Sequence, residues 1–167
     1  AICILANFVT GYILFFFEQL GIYPPEMPSY LENTMPSLAL SIVSFAVLPA
    51  ILEEMVYRGY IMRVLYPHGQ HYALIVSSLF FALMHANIMQ IPFAFIVGLA
   101  CGFLVLATGQ IWPAIMLHFL NNFMAVMLQY SMFYTDNHQQ VLLIVFCIIG
   151  LIGLTSLLIL FAKNSPF

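Results

Sequence analysis

The sequence predicts an all-α fold, a polytopic transmembrane helical bundle of about six membrane-spanning helices. Three observations carry that prediction. Of 167 residues, 64% are hydrophobic and only 5% charged, where a soluble domain carries about 25% charged residues. The mean hydropathy is +1.07. The apolar residues also fall in runs of about 20, parted by short connectors rich in proline, glycine and polar side chains. A surface so poor in charge cannot be wetted by water, so lipid is its main solvent. No polar stretch is long enough for a separate domain, and residues 1–167 read as one transmembrane domain.

The first candidate span covers residues 1–21. It is too long for a cleavable signal and lacks a basic n-region, so it reads as a true span. The chain opens at Ala1 without an initiator Met, and is expected to be a fragment or a trimmed chain that lacks an upstream helix. Residues 22–36 hold Pro24, Pro25, Pro28 and Pro36 with Glu26 and Glu32, an interfacial loop. The second span is expected over 37–65, ended by Tyr66-Pro67-His68-Gly69. The third runs over about 72–87 and the fourth over 91–108. Trp112-Pro113 opens the fifth, with proline in the first turn, where a missing N–H costs least. That helix is expected to end near Tyr130, before the polar stretch 131–140, and a sixth follows over 141–162. No internal repeat is visible.

The scarce charges and cysteines exclude several functions. Arg58, Arg63 and Lys163 are the three basic residues, too few for the basic stripe that nucleic-acid binding needs. Cys3, Cys101 and Cys147 lie in separate apolar runs with no metal-ligand or disulfide spacing, and read as small packing residues. With six spans, Arg63 and Lys163 fall on one side and Glu26, Glu32 and Asp136 on the other. The positive-inside rule then places the C-terminus in the cytoplasm.

The second span carries Glu53, Glu54 and Arg58 inside its apolar run. A charge at the centre of a span costs about 2.5–3.5 kcal/mol on insertion scales, so these groups need partners. Glu54 and Arg58 are four residues apart, one above the other, and can pair. Glu53 is turned about 100° from Glu54 and is poorly placed to share that pair. Spacing thus gives Glu54 a structural role and leaves Glu53 for other work; the rival reading is that both acids merely hold Arg58.

Two further helices carry imidazoles. His85 closes an apolar run, with Phe81 four residues before it. His118 shares a helical face with Asn122, and Asn121 precedes Asn122. Singly, each His also fits a capped or interfacial residue, and Asn and His serve as interhelical hydrogen-bond partners in membranes. Depth brings them together. At 1.5 Å per residue, Glu53 lies roughly 18 Å in from Leu65, His85 roughly 20 Å in from Tyr72 and His118 roughly 9 Å in from Trp112. All three can meet inside a core about 30 Å thick. His68, His71 and His138 fall in polar connections and read as solvated.

A carboxylate and an imidazole in a low-dielectric pocket can take a proton from water. A second imidazole and an amide can donate to the oxyanion formed when that water attacks a peptide carbonyl. No Ser or Cys has an evident base partner, and neither GxSxG nor HExxH is present. Glu53, His85 and His118 could instead hold a divalent metal such as zinc, since two His and a carboxylate are a known ligand set.

These elements resemble the CPBP family of intramembrane endopeptidases, also called ABI, which includes the type II CAAX prenyl proteases. The EExxxR motif reads Glu53-Glu54-Met55-Val56-Tyr57-Arg58. FxxxH reads Phe81-Ala82-Leu83-Met84-His85, and HxxxN reads His118-Phe119-Leu120-Asn121-Asn122. The resemblance extends from Glu53 to Asn122 and implies a protease-like core over about residues 37–131. It implies that Glu53 and His85 activate the water, that His118 and Asn122 stabilise the oxyanion, and that Glu54 and Arg58 support the site. The family's mechanism has been described both as metal-dependent and as glutamate-based, so no cofactor is required on this reading and metal stays an alternative.

The expected function is therefore an intramembrane endopeptidase, multi-pass in a bacterial cell membrane. Its partners are lipid and a peptide or protein substrate with a membrane-proximal cleavage site. The alternative is a non-catalytic immunity or scaffold protein that binds a peptide in the same pocket. An ion- or proton-coupled carrier is a third reading, opposed by the small size and the lack of a repeat.

Overall fold

The computed structural model of the chain describes residues 2–23 and 34–131. The expected sixth span, most of the proline-rich loop, and Glu26, Glu32, Asp136, His138, Cys147 and Lys163 lie outside the described residues. Within them the chain is helical, with no strand. Helix α1 is Ile2–Gln19, α2 is Met35–His68, α3 is Gln70–Leu83, α4 is Ile91–Thr108 and α5 is Trp112–Ser131. Among the described residues α2 and α4 are long and apolar enough to cross a membrane, and α3 is a shorter apolar helix. Six spans are not counted among the described residues, but a helical membrane protein is what the molecule's surface requires. Leu40, Phe45, Leu52, Met55 and Tyr60, all on α2, are each more than half exposed, a face suited to lipid rather than water.

The long helix α2 organises the bundle. Its first half packs against α5, and its second half against α3 and α4; α3 packs along α4, and α1 rests on α4. The helix starts at a Thr34 cap, whose Oγ1 accepts the N–H of Ser37 at 3.3 Å. Two stretches, Ile42–Val47 and Met55–Ile61, are wound wider than an α-helix, so that the N–H of Leu48 reaches the carbonyl of Val43 and that of Met62 the carbonyl of Tyr57. Pro49, just beyond the first stretch, has no N–H for the usual bond four residues back, a recognised cause of such irregularity. The widening keeps one face inward. Buried residues of α2 step by five from Ser41 to Ala46, then by four through Ala50, Glu54, Arg58 and Met62, with Tyr57 buried beside Arg58.

Small residues set the approach of α3 and α4. Ala94, Gly98 and Gly102 are buried one turn apart on α4, the spacing that lets membrane helices come close. A Cβ on Gly98 would meet Ser78 Cβ at 3.1 Å, Arg58 Nη2 at 3.2 Å and Phe81 Cδ1 at 3.3 Å, and one on Gly102 would collide with the end of the Leu74 side chain. Ser77 and Ser78 face this contact fully buried, and both hydroxyls donate to the carbonyl of Leu74.

Turns follow local chemistry. Gly69, at φ 118, makes the corner between α2 and α3, and Gly109, at φ 68, ends α4 with its N–H on the carbonyl of Val105. Helix α3 stops at Leu83, four residues short of the expected end. The N–H of His85 and of Ala86 reach carbonyls three residues back, at Ala82 and Leu83. Ala86 then takes φ 49, a left-handed conformation that is costly for a residue with a Cβ, and α3 can go no further.

Gly98→Ala is expected to lower stability by about 1–3 kcal/mol, the usual cost of overpacking. Gly11→Ala on exposed α1, where a Cβ meets nothing within 4 Å, should be neutral or stabilising by up to about 1 kcal/mol. Thermal melts of both variants in detergent measure the contrast.

Candidate active site

The centre of α2 buries a charge cluster. Glu54 and Arg58 are 0% and 1% exposed, with Arg58 Nη1 donating to Glu54 Oε1 at 2.7 Å. The pair expected from their spacing is therefore formed. Arg58 Nη2 also donates to the carbonyl of Gly98 at 2.7 Å, an atom exposed to the guanidinium because Gly98 has no side chain. The same guanidinium carbon lies 4.7 Å from the centre of the Phe81 ring, within cation–π range.

His118 enters from α5 and is 2% exposed. Its Nδ1 lies 3.0 Å from Glu54 Oε1. A carboxylate oxygen accepts, so Nδ1 carries the proton and Nε2 is turned the other way. There Nε2 lies 3.9 Å from Glu53 Oε2. Glu54 thus serves both Arg58 and His118, a sharing that sequence spacing did not reveal because Glu54 and His118 are 64 residues apart. Glu53 has no contact with Arg58 and keeps its side chain 36% exposed, so the two adjacent acids do have different environments.

His85 is half-buried in the turn after α3. Its Nδ1 lies 3.0 Å from the carbonyl of Phe81; the carbonyl accepts, which fixes the proton on Nδ1 and leaves Nε2 as the basic nitrogen. The Phe81 ring stands edge-on to both imidazoles, with centroids 5.1 Å from His85 and 5.4 Å from His118. Asn122 is half-buried one turn beyond His118, and its Oδ1 accepts from Asn121 Nδ2 at 3.3 Å. The structure thus joins Glu53, Glu54, Arg58 and His118 directly, and sets His85 against the shared Phe81. Asn122 is held by Asn121 rather than by His118. Glu54 Oε2, Arg58 Nε and Asn121 Oδ1 are buried without a protein partner, which leaves the cluster polar capacity for internal water. His68 and His71 are exposed and stand apart.

Among the described residues no three His, Cys, Asp or Glu side chains come together to hold a metal ion. Glu53, His85 and His118 are therefore not gathered around one point, although each imidazole donates Nδ1–H and keeps Nε2 free, as a metal-bound imidazole also does.

Comparison with known proteins adds to this geometry. A family model described as type II CAAX prenyl endopeptidase Rce1-like matches residues 35–124, a range that contains the whole cluster. The Bacillus subtilis (strain 168) protein named "Putative membrane peptidase YdiL" is 25% identical over 129 residues, covering 77% of this chain and 52% of that protein. The chain thus spans about half the length of the curated relative it matches. No solved structure matches the chain.

Glu54→Gln is expected to cost about 3–5 kcal/mol, because it leaves Arg58 charged and poorly compensated in a buried site. Glu53→Gln should melt close to the parent protein, since its side chain is 36% exposed and pairs with no buried cation. Indistinguishable melting of the two variants in detergent would refute this division between the acids.

Proposed function

The chain belongs to the Rce1-like family of type II CAAX prenyl endopeptidases, and from that membership we propose that it is an intramembrane endopeptidase in which Glu53 activates water against a peptide bond. The observation that carries this reading is the placement of the partly open Glu53 carboxylate beside a buried imidazole whose tautomer is set by Glu54. At 3.9 Å from His118 Nε2, Glu53 Oε2 leaves room for a polar atom of water or substrate to contact both groups from one side. Glu53 takes the water's proton as general base. His85, its Nε2 free, is the second group that assists in taking the proton. Asn122 donates to the developing oxyanion through the Nδ2–H that its bond to Asn121 leaves available, and His118 does so once Glu53 passes the water's proton to its Nε2, its own Nδ1–H staying on Glu54. Glu54 and Arg58 hold His118 in place, and no step requires a metal.

The same reading makes residues 1–167 one domain, with its working core over about 37–131. Its partners are membrane lipid and a peptide or protein cut close to the membrane, and not nucleic acid. The setting is a multi-pass protein of a bacterial cell membrane with a cytoplasmic C-terminus. A scaffold that only binds a peptide would have no use for one buried and one open acid around the same imidazole.

Glu53→Gln should abolish proteolysis while preserving the fold, because an amide matches the carboxylate in shape but is no base. A proteomic comparison of membranes bearing the parent protein and this variant identifies the substrate; identical peptide termini in both would sink the protease reading. Exhaustive chelation of the purified protein should leave its activity intact. Activity lost on chelation and restored stoichiometrically by zinc would instead assign a metal to the site.

A further inference from the structure

We propose that Phe81 is the positioning residue that ties the two imidazoles to the buried ion pair, setting His85 through its backbone and both His rings through its side chain. The inference deepens the reading of His85 and His118 as working groups of a proteolytic site. Phe81 is 2% exposed and meets two imidazoles, a phenol ring and a guanidinium. Its carbonyl receives His85 Nδ1–H at 3.0 Å. Its ring stands near-perpendicular to His118 at an interplanar angle of 89°, to Tyr57 at 84° and to His85 at 70°. The Arg58 guanidinium carbon lies 4.7 Å from the ring centre.

These contacts exceed what an apolar filler provides. An aromatic ring has a negative face and a positive edge, so its partners are held in orientation as well as in place. A cation over the ring is attracted to the face, and that cation also bonds Glu54, which bonds His118 Nδ1. Movement of the ring would therefore disturb His118 twice, by direct contact and through Arg58 and Glu54. It would disturb His85 through the plane of its imidazole. A leucine of similar burial would keep the peptide carbonyl but supply no quadrupole for Arg58 and no aromatic ring for the two T-shaped imidazole contacts.

The test reads the imidazoles directly and needs no substrate. Full-length protein labelled with nitrogen-15 histidine is studied in detergent micelles, with the His85 and His118 ring signals assigned by single substitutions. The parent protein should show both rings as single Nδ1–H tautomers. In Phe81→Leu both signals should shift toward tautomer-averaged values, while the exposed His68 and His71 stay unchanged. Phe95→Leu is the control, because Phe95 packs on the same apolar cluster without a ring contact to either imidazole; it should leave both signals in place. If Phe81→Leu fails to fold, pentafluorophenylalanine at position 81 retains the ring's shape and inverts its quadrupole, and should shift His118. Unchanged imidazoles in the folded Phe81 variant, or equal shifts in Phe95→Leu, would overturn the proposal. Loss of tautomer order in a protein that cleaves nothing would uphold the positioning role and refute the protease reading instead.

Discussion

A single carboxylate oxygen, Glu54 Oε1, accepts from Arg58 at 2.7 Å and from His118 at 3.0 Å in a site closed to solvent. The rest of the molecule is arranged around keeping that atom supplied. Burying an acid in hydrocarbon is tolerable only when strong donors replace water. The first donor comes from the same helix by a four-residue step. The second must come from another, so α5 is drawn against α2 at that level. Arg58 in turn has hydrogen-bonding capacity beyond Glu54, and the carbonyl of Gly98 takes part of it. Three helices are thereby linked at one depth, and the polar bonds and the close helix packing depend on each other.

The adjacent acids illustrate how position along one helix can give two carboxylates different surroundings. Glu54 is enclosed and committed, and its negative charge is matched at once by a guanidinium. Glu53, one residue earlier, faces the margin of the bundle and keeps its side chain 36% exposed. A base must be reachable by the molecule it deprotonates, whereas an orienting group works best when nothing else can reach it. The backbone turn between consecutive residues is enough to give the two carboxylates these opposite conditions.

Much of the site was legible in the sequence, for reasons that differ by residue. The Glu54–Arg58 pair follows from helical geometry alone, and the ends of α4 and the start of α5 follow from proline, glycine and the length of apolar runs. The family motifs marked His85, His118 and Asn122 as candidates, but not how each is held. The bond between Glu54 and His118 joins residues far apart in the chain, which no local spacing encodes. The Gly98 carbonyl was invisible for another reason, because a backbone acceptor leaves no side-chain signature. In the sequence Phe81 stands as the start of a motif one turn before His85, and its many contacts require the assembled bundle. The first wide turn of α2 has a signal in Pro49, which stands inside an apolar helical run, whereas the second has none.

Those wide turns have a consequence for how chains of this design can vary in length. A wide turn holds one more residue than the α-helical turn it replaces, so removing one residue from Ile42–Val47 can restore an ordinary winding and keep Ser41 and Ala50 on the same inward face. The same deletion within Leu48–Glu54 would rotate the acids away from α5, with no slack to absorb it. Residue-number changes between related chains are usually sought in loops. Here the first half of α2 is a place within a continuous helix where the alignment of two relatives can slip by one position while the buried cluster beyond it keeps its geometry.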